Sequence, residues 1–139
     1  MSETLAVKCL CGEVELQLSG KPFDQFYCHC ADCRAANGAS YISVAMFVKS
    51  NVSLKQGKTQ TWTYKSMPRT RCANCGSMLF GEVVGADLIG LKANLLPSGY
   101  FTPQLHIHCD SAVLPVQDNL PHYRALPEIW GGSNDRVSW

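Results

Sequence analysis

Long apolar runs are missing from this chain. The longest, YISVAMFV at residues 41–48, falls far short of the roughly 20 residues that a membrane helix needs. Runs of one charge are missing too, and the formal net charge is only +1. That leaves no electrostatic footprint for nucleic acid or an acidic membrane. The stretch MSETLAVKCLCGEVEL has no basic start followed by an apolar segment, so no secretory leader is expected. Helical periodicity is thin, and neither a repeat nor a linker is visible. A 46% hydrophobic share argues against disorder. A length of 139 residues suits one domain, residues 1–139, with a core of its own. What remains is a soluble globular protein, expected in the cytoplasm, where thiols persist.

Strand signals fill most of the chain. GEVELQL alternates Val14, Leu16 and Leu18 against Glu13, Glu15 and Gln17, a period-2 pattern with one buried face. Further candidates are residues 41–48, 51–57, 59–65, 77–84, 87–93 and 104–109, punctuated by glycine, proline and asparagine. One helical turn or two is expected over residues 31–37, closed by Gly38, and another after Pro121. Short strands with little helix predict a mainly β domain. The tail GGSNDRVSW reads as loosely ordered, with Trp130 and Trp139 able to dock on the body.

Cysteine is abundant, with eight residues. They fall into CLCG (Cys9, Cys11), CHCADC (Cys28, Cys30, Cys33), CANCG (Cys72, Cys75) and a lone Cys109. These are ligand spacings, and no leader accompanies them, so disulfides are the poorer reading. The first and third groups both end in Cys-Gly. A glycine there permits positive φ and lets backbone N–H groups approach a thiolate. Pairing those two groups gives Cys9, Cys11, Cys72 and Cys75, a closed four-thiolate set of the structural zinc type. CHCADC is left with three thiolates, the ligand count of a catalytic zinc with one open position. Cys109, His29, His106 and His108 are the candidates for a fourth ligand there. His106 and His108 lie on one face of the expected strand, and Cys109 faces the other way. A partition in which CHCADC serves both sites stays open at this level.

The order CxCG, CHCxxCR, CxxCG resembles the glutathione-dependent formaldehyde-activating enzyme family, also called the centromere protein V family. Tyr64-Lys65-Ser66 ahead of the last motif, Leu79-Phe80 behind it and the late His106-Ile107-His108 add to the likeness, which spans about residues 5–115. The resemblance implies a β-tent fold of short antiparallel strands closed by a four-cysteine zinc site. It implies structural zinc on Cys9, Cys11, Cys72 and Cys75, and a second, catalytic zinc on Cys28, Cys30 and Cys33. The chain departs from the pattern at Arg71, at Ser77 and at Cys109.

The reaction so implied is a carbon–sulfur lyase step, run towards synthesis. The thiol of glutathione, or a similar thiol, adds to formaldehyde and gives S-(hydroxymethyl)glutathione. A cation at an open position favours the thiolate, the reactive form of the thiol, or polarises the aldehyde oxygen. Three thiolates also leave the site with net negative charge, which weakens that effect. Arg34, beside the cluster, is placed to offset it or to hold a substrate carboxylate. Two alternatives come from other classes. One is a zinc-stabilised binding or chaperone-like module, which predicts closed metal sites and an apolar surface elsewhere. The other is a thiol redox or metal-buffering protein.

Overall fold

Alternating side chains organise the first of two compact units. It takes in the residues through Asp24 together with Ala45–Phe101. The computed structural model of the protein describes residues 3–139. Strand β1 (Thr4–Lys8) pairs antiparallel with β2 (Glu15–Ser19), setting Leu5 opposite Leu18 and Val7 opposite Leu16. The expected alternation is realised, since Val14, Leu16 and Leu18 are buried while Glu15 and Gln17 are not. On its other edge β2 pairs with β5 (Val52–Gln56). In the same unit β6 (Thr59–Tyr64), β7 (Met67–Cys72), β8 (Met78–Val83) and β9 (Leu88–Lys92) form an antiparallel meander. β4 (Ile42–Val48) runs from the second unit into the first.

Phe47, Leu16, Leu18, Leu79 and Leu91 make the centre of the first unit's core. Full burial of each such side chain contributes about 1.5–3 kcal/mol. Cys9 and Cys72 belong to the same cluster, so half of the first cysteine group is built into the core. A cavity of about 330 Å³ also lies in this unit, lined by Leu16, Val52, Leu54, Thr61, Thr70 and Phe80 among others. None of the cysteines lines it.

The second unit comprises Gln25–Val44 and Thr102–Trp139. Strand β3 (Asp24–Cys28) pairs in parallel with β10 (Leu105–Ile107), so that His106 faces Tyr27 and Ile107 faces Cys28. A helix, α1 (Ala31–Asn37), begins inside the cysteine motif and ends on Gly38 in the left-handed region, as expected. The helical turn expected after Pro121 does not form. His122 and Tyr123 instead form bridges, His122 in parallel with His106 of β10. The His106 N–H bonds to Pro121 O, the His108 N–H to Ala125 O and the Cys109 N–H to Tyr123 O. Extended pairing satisfies these buried backbone groups, which a local helix would leave open.

The expected strand over residues 104–109 is shorter than its pattern. His108 has a left-handed φ of 55° and ends it, so His106 and His108 do not share a strand face. The tail is better tied than expected. The Arg124 N–H bonds to Asp135 O at 2.7 Å and the Val137 N–H to His122 O at 2.9 Å. Trp130 packs edge-on against Phe26, with ring centres 5.2 Å apart. The mainly β class is as expected, with β1, β3 and β7 as strands not foreseen. Among the described residues no helix is long and apolar enough to cross a membrane.

Candidate metal centres

The two Cys-Gly turns meet in the first unit. Gly12 and Gly76 both take positive φ, +81° and +79°, and a Cβ on either would meet nothing within 4 Å. The backbone conformation, not crowding, therefore calls for glycine. Each turn closes with the glycine N–H on the first cysteine's carbonyl, Gly12 on Cys9 and Gly76 on Cys72. Neighbouring N–H groups reach the sulfurs. Val14 donates to Cys9 Sγ at 3.3 Å, and Asn74 and Cys75 both donate to Cys72 Sγ at 3.4 Å. The Asn74 side chain donates to Cys11 Sγ. Ser77 ties the loops together, since its hydroxyl lies 3.1 Å from Cys75 Sγ and accepts from the Leu10 N–H. The hydroxyl and N–H of Ser77 hold the Cys75 thiol down at about 5. Charge-stabilising donors around every sulfur are what thiolate ligands need.

The sulfur spacing fits zinc. All four Sγ atoms lie within 4.8 Å of one another, with Cys9–Cys11 at 3.5 Å and Cys11–Cys72 at 3.8 Å. A tetrahedron with zinc–sulfur bonds of about 2.3 Å has edges of about 3.8 Å. All the cysteines are free of disulfides.

In the second unit Cys28, Cys30 and Cys33 also bring their sulfurs within 4.8 Å of one another. Strand β3 delivers Cys28, which is buried, and α1 carries Cys33, which is half-buried. Cys30 caps the helix, its Sγ accepting the Cys33 N–H at 3.3 Å. Sulfhydryl donation from Cys28 and Cys33 pushes the Cys30 thiol down, and the same contacts push Cys28 up. Charge on His108 acts on Cys30 in the lowering direction. None of the four candidate fourth ligands has a donor atom inside this group. The His29 and His106 rings engage each other, and burial pushes the Cys109 thiol up to about 12. Arg34 turns its Nε onto the His29 carbonyl at 3.1 Å.

A third constellation, around the histidines, goes beyond what the sequence patterns showed. His29 Nε2 lies 2.9 Å from His106 Nδ1, and His106 Nε2 lies 2.7 Å from Asp118 Oδ2. His122 stands beside His106, with ring centres 4.5 Å apart. Tyr27 stacks on His106, Tyr41 stacks on His29, and Trp139 packs against His29 and His122. Burial pushes His29 down to about 4 and lowers His106. Burial raises Asp118, but hydrogen bonds from His106 and the Leu120 N–H outweigh it and hold the carboxyl below its usual range. The only sequence signal for Asp118 and His122 was their four-residue spacing, in a segment without periodic pattern.

No curated protein matches the chain. Among solved structures it is similar to a Rhodobacter sphaeroides protein described as a structural genomics target. The TM-score is 0.56 at 19% identity, covering 68% of this chain and 89% of that one. At that identity the likeness shows the fold alone. The family model described as "Glutathione-dependent formaldehyde-activating enzyme" matches residues 4–111, a span that holds every cysteine. With that match over well more than half its length, the chain belongs to the glutathione-dependent formaldehyde-activating enzyme family.

Proposed function

We propose that this protein is a single zinc-dependent domain that makes or breaks the adduct between a small thiol, such as glutathione, and a small aldehyde. Cys9, Cys11, Cys72 and Cys75 would hold a structural zinc, and Cys28, Cys30 and Cys33 a second, catalytic one. The observation that carries the reading is the three-sulfur group itself. Its donors cluster, two of its cysteines are half-exposed, and among the described residues no His, Asp, Glu or further Cys joins them. A divalent ion there supplies Lewis acidity and favours the thiolate form of a bound thiol. The chain holds Cys28 from β3 and Cys33 from α1, and it fixes Cys30 through the Cys33 N–H. Arg34 braces the loop by its bond to the His29 carbonyl, which leaves the rest of its guanidinium for a carboxylate. In the reaction the thiol sulfur bonds to the aldehyde carbon, and the thiol proton ends on the former carbonyl oxygen. No step needs an oxidant.

X-ray absorption at the zinc edge, with and without glutathione, tests this. Exchange of one oxygen ligand for sulfur on adding glutathione supports thiol activation at the second site. A retained oxygen ligand with activity intact points to action on the aldehyde. Four protein ligands, unchanged by glutathione, would remove the catalytic reading. One observation favours the binding-module alternative, namely the cavity of about 330 Å³ in the first unit, lined by apolar residues together with Lys49, Glu82 and three threonines and by no cysteine.

A further inference from the structure

The second unit places three more metal-type donors together. His106 and His122 sit side by side through a parallel bridge between β10 and the segment after Pro121. Asp118 lies four residues before His122 and approaches both rings, at 2.7 Å from His106 Nε2 and 3.0 Å from His122 Nε2. We propose that His106 Nε2, His122 Nε2 and the Asp118 carboxylate form a nitrogen–oxygen site for a divalent transition-metal ion, separate from both cysteine groups.

Four observations carry this. The donor atoms lie within 4.8 Å of one another. His106 is fully buried and His122 is 5% exposed, while the Asp118 side chain keeps 30% of its surface and gives an approach from solvent. His122 Nε2 is buried with no hydrogen-bond partner, because the nearby carboxylate oxygen is out of line with it. Leaving such an atom unmet is costly, and a cation between ring and carboxylate would meet it. Finally, the other ring nitrogen of His106 is held by His29 Nε2, the outer contact that orients a histidine ligand. Two histidines and one carboxylate suit zinc or ferrous iron. The present spacings are shorter than the edge of about 3.3 Å expected between donors on a tetrahedral zinc. The carboxylate would have to withdraw by roughly half an ångström to admit the ion.

Metal and hydrogen bond require opposite tautomers. Without metal, His106 donates its Nε2–H to Asp118, so Nδ1 accepts from His29. With metal, Nε2 binds the ion, so Nδ1 carries the proton and donates to His29 Nε2. The network would then reset the ring of His29, the residue between Cys28 and Cys30 in the chain. Adding Zn²⁺ in excess to ¹⁵N-histidine-labelled protein already loaded at its cysteine sites tests this. The expected result is uptake of one further equivalent, metal-bound shifts at Nε2 of His106 and His122, and transfer of the His106 proton to Nδ1. Asp118→Asn, checked by its melting curve, should weaken that uptake at least tenfold and leave the sulfur-bound zinc unchanged. His106 still donating Nε2–H to Asp118 at saturating zinc would overturn the proposal, whatever the variant does. The histidine signals report this site alone, so the outcome does not depend on whether Cys28, Cys30 and Cys33 hold zinc.

Discussion

Cys11 Sγ and Cys72 Sγ lie 3.8 Å apart across 61 residues of chain. Cys72 is 1% exposed and part of the hydrophobic core, whereas Cys11 faces solvent. A metal at this point would join the core to two surface turns that are distant in sequence. Apparent zinc-binding energies of about 10–16 kcal/mol in small zinc domains are as large as the whole stability of an ordinary domain, roughly 5–15 kcal/mol. Cys72→Ser should therefore abolish cooperative thermal unfolding and remove one zinc per chain. Unchanged melting and unchanged zinc content would show that these four cysteines do not hold a metal.

Cys30→Ser should behave differently. Cys30 is half-buried at the start of a seven-residue helix, outside the first unit's core. The serine hydroxyl can take over the cap by accepting the Cys33 N–H, so the helix itself should lose little. The fold should stay near native while the second zinc and any glutathione–formaldehyde activity disappear. Full activity in a variant lacking the second metal would separate the reaction from this cluster.

Burial pushes the Cys109 thiol from 9.0 up to about 12. It should therefore stay unmodified under brief alkylation at pH 8, even after a chelator exposes the other thiols. The same shift affects stability at high pH. Below pH 9 both folded and unfolded chains keep this proton. Between 9 and 12 only the unfolded chain releases it, so stability falls as pH rises. Denaturant titrations of Cys109→Ala should show a shallower alkaline decline than the unsubstituted protein. Identical slopes would mean that the thiol ionises alike in both states.

Trp139 packs its ring at 5.2 Å from His29 and 5.0 Å from His122. Trp139→Ala should cost about 1–3 kcal/mol, less than a fully buried tryptophan. Faster amide exchange at Arg124 and Val137, which bond along the same segment, should accompany the loss. Stability and exchange both unaltered would show that the tail is held without this ring.

The cysteine partition was readable because glycine follows two of the motifs and not the third. That asymmetry reflects a backbone requirement, and Gly12 and Gly76 both meet it. The alternating strand β2 was readable for the same kind of reason, since one residue in two meets the core. β7 was not, because MPRTRC has neither alternation nor a run of β-branched residues, and its neighbours β6 and β8 hold it in place. The extended segment after Pro121 was missed because its pairing partner, β10, is remote from it in pattern if not in position. His29, His106 and His108 were singled out as spare ligands. The structure instead gives two of them to a hydrogen-bonded network with Asp118, with the His122 ring beside it, and only the four-residue spacing of Asp118 and His122 hinted at this.

The second unit is interrupted in sequence, since Ala45–Phe101 lies between its two parts. A chain emerging from the ribosome makes Cys28, Cys30 and Cys33 early, but β3, which has β4 on one edge, must wait for β10 before its second edge is paired. By then every residue of the first unit, including its four cysteines, has already been made. Vectorial synthesis thus sets an order of assembly, in which the four-sulfur group is free to close while the strand beside the three-sulfur loop still has one open edge. Late, non-local pairing is the slow kind. The step that finishes this protein is therefore the return of residues 102–139 onto a strand made long before, and interference with that return would leave a finished first unit attached to an unfinished second one.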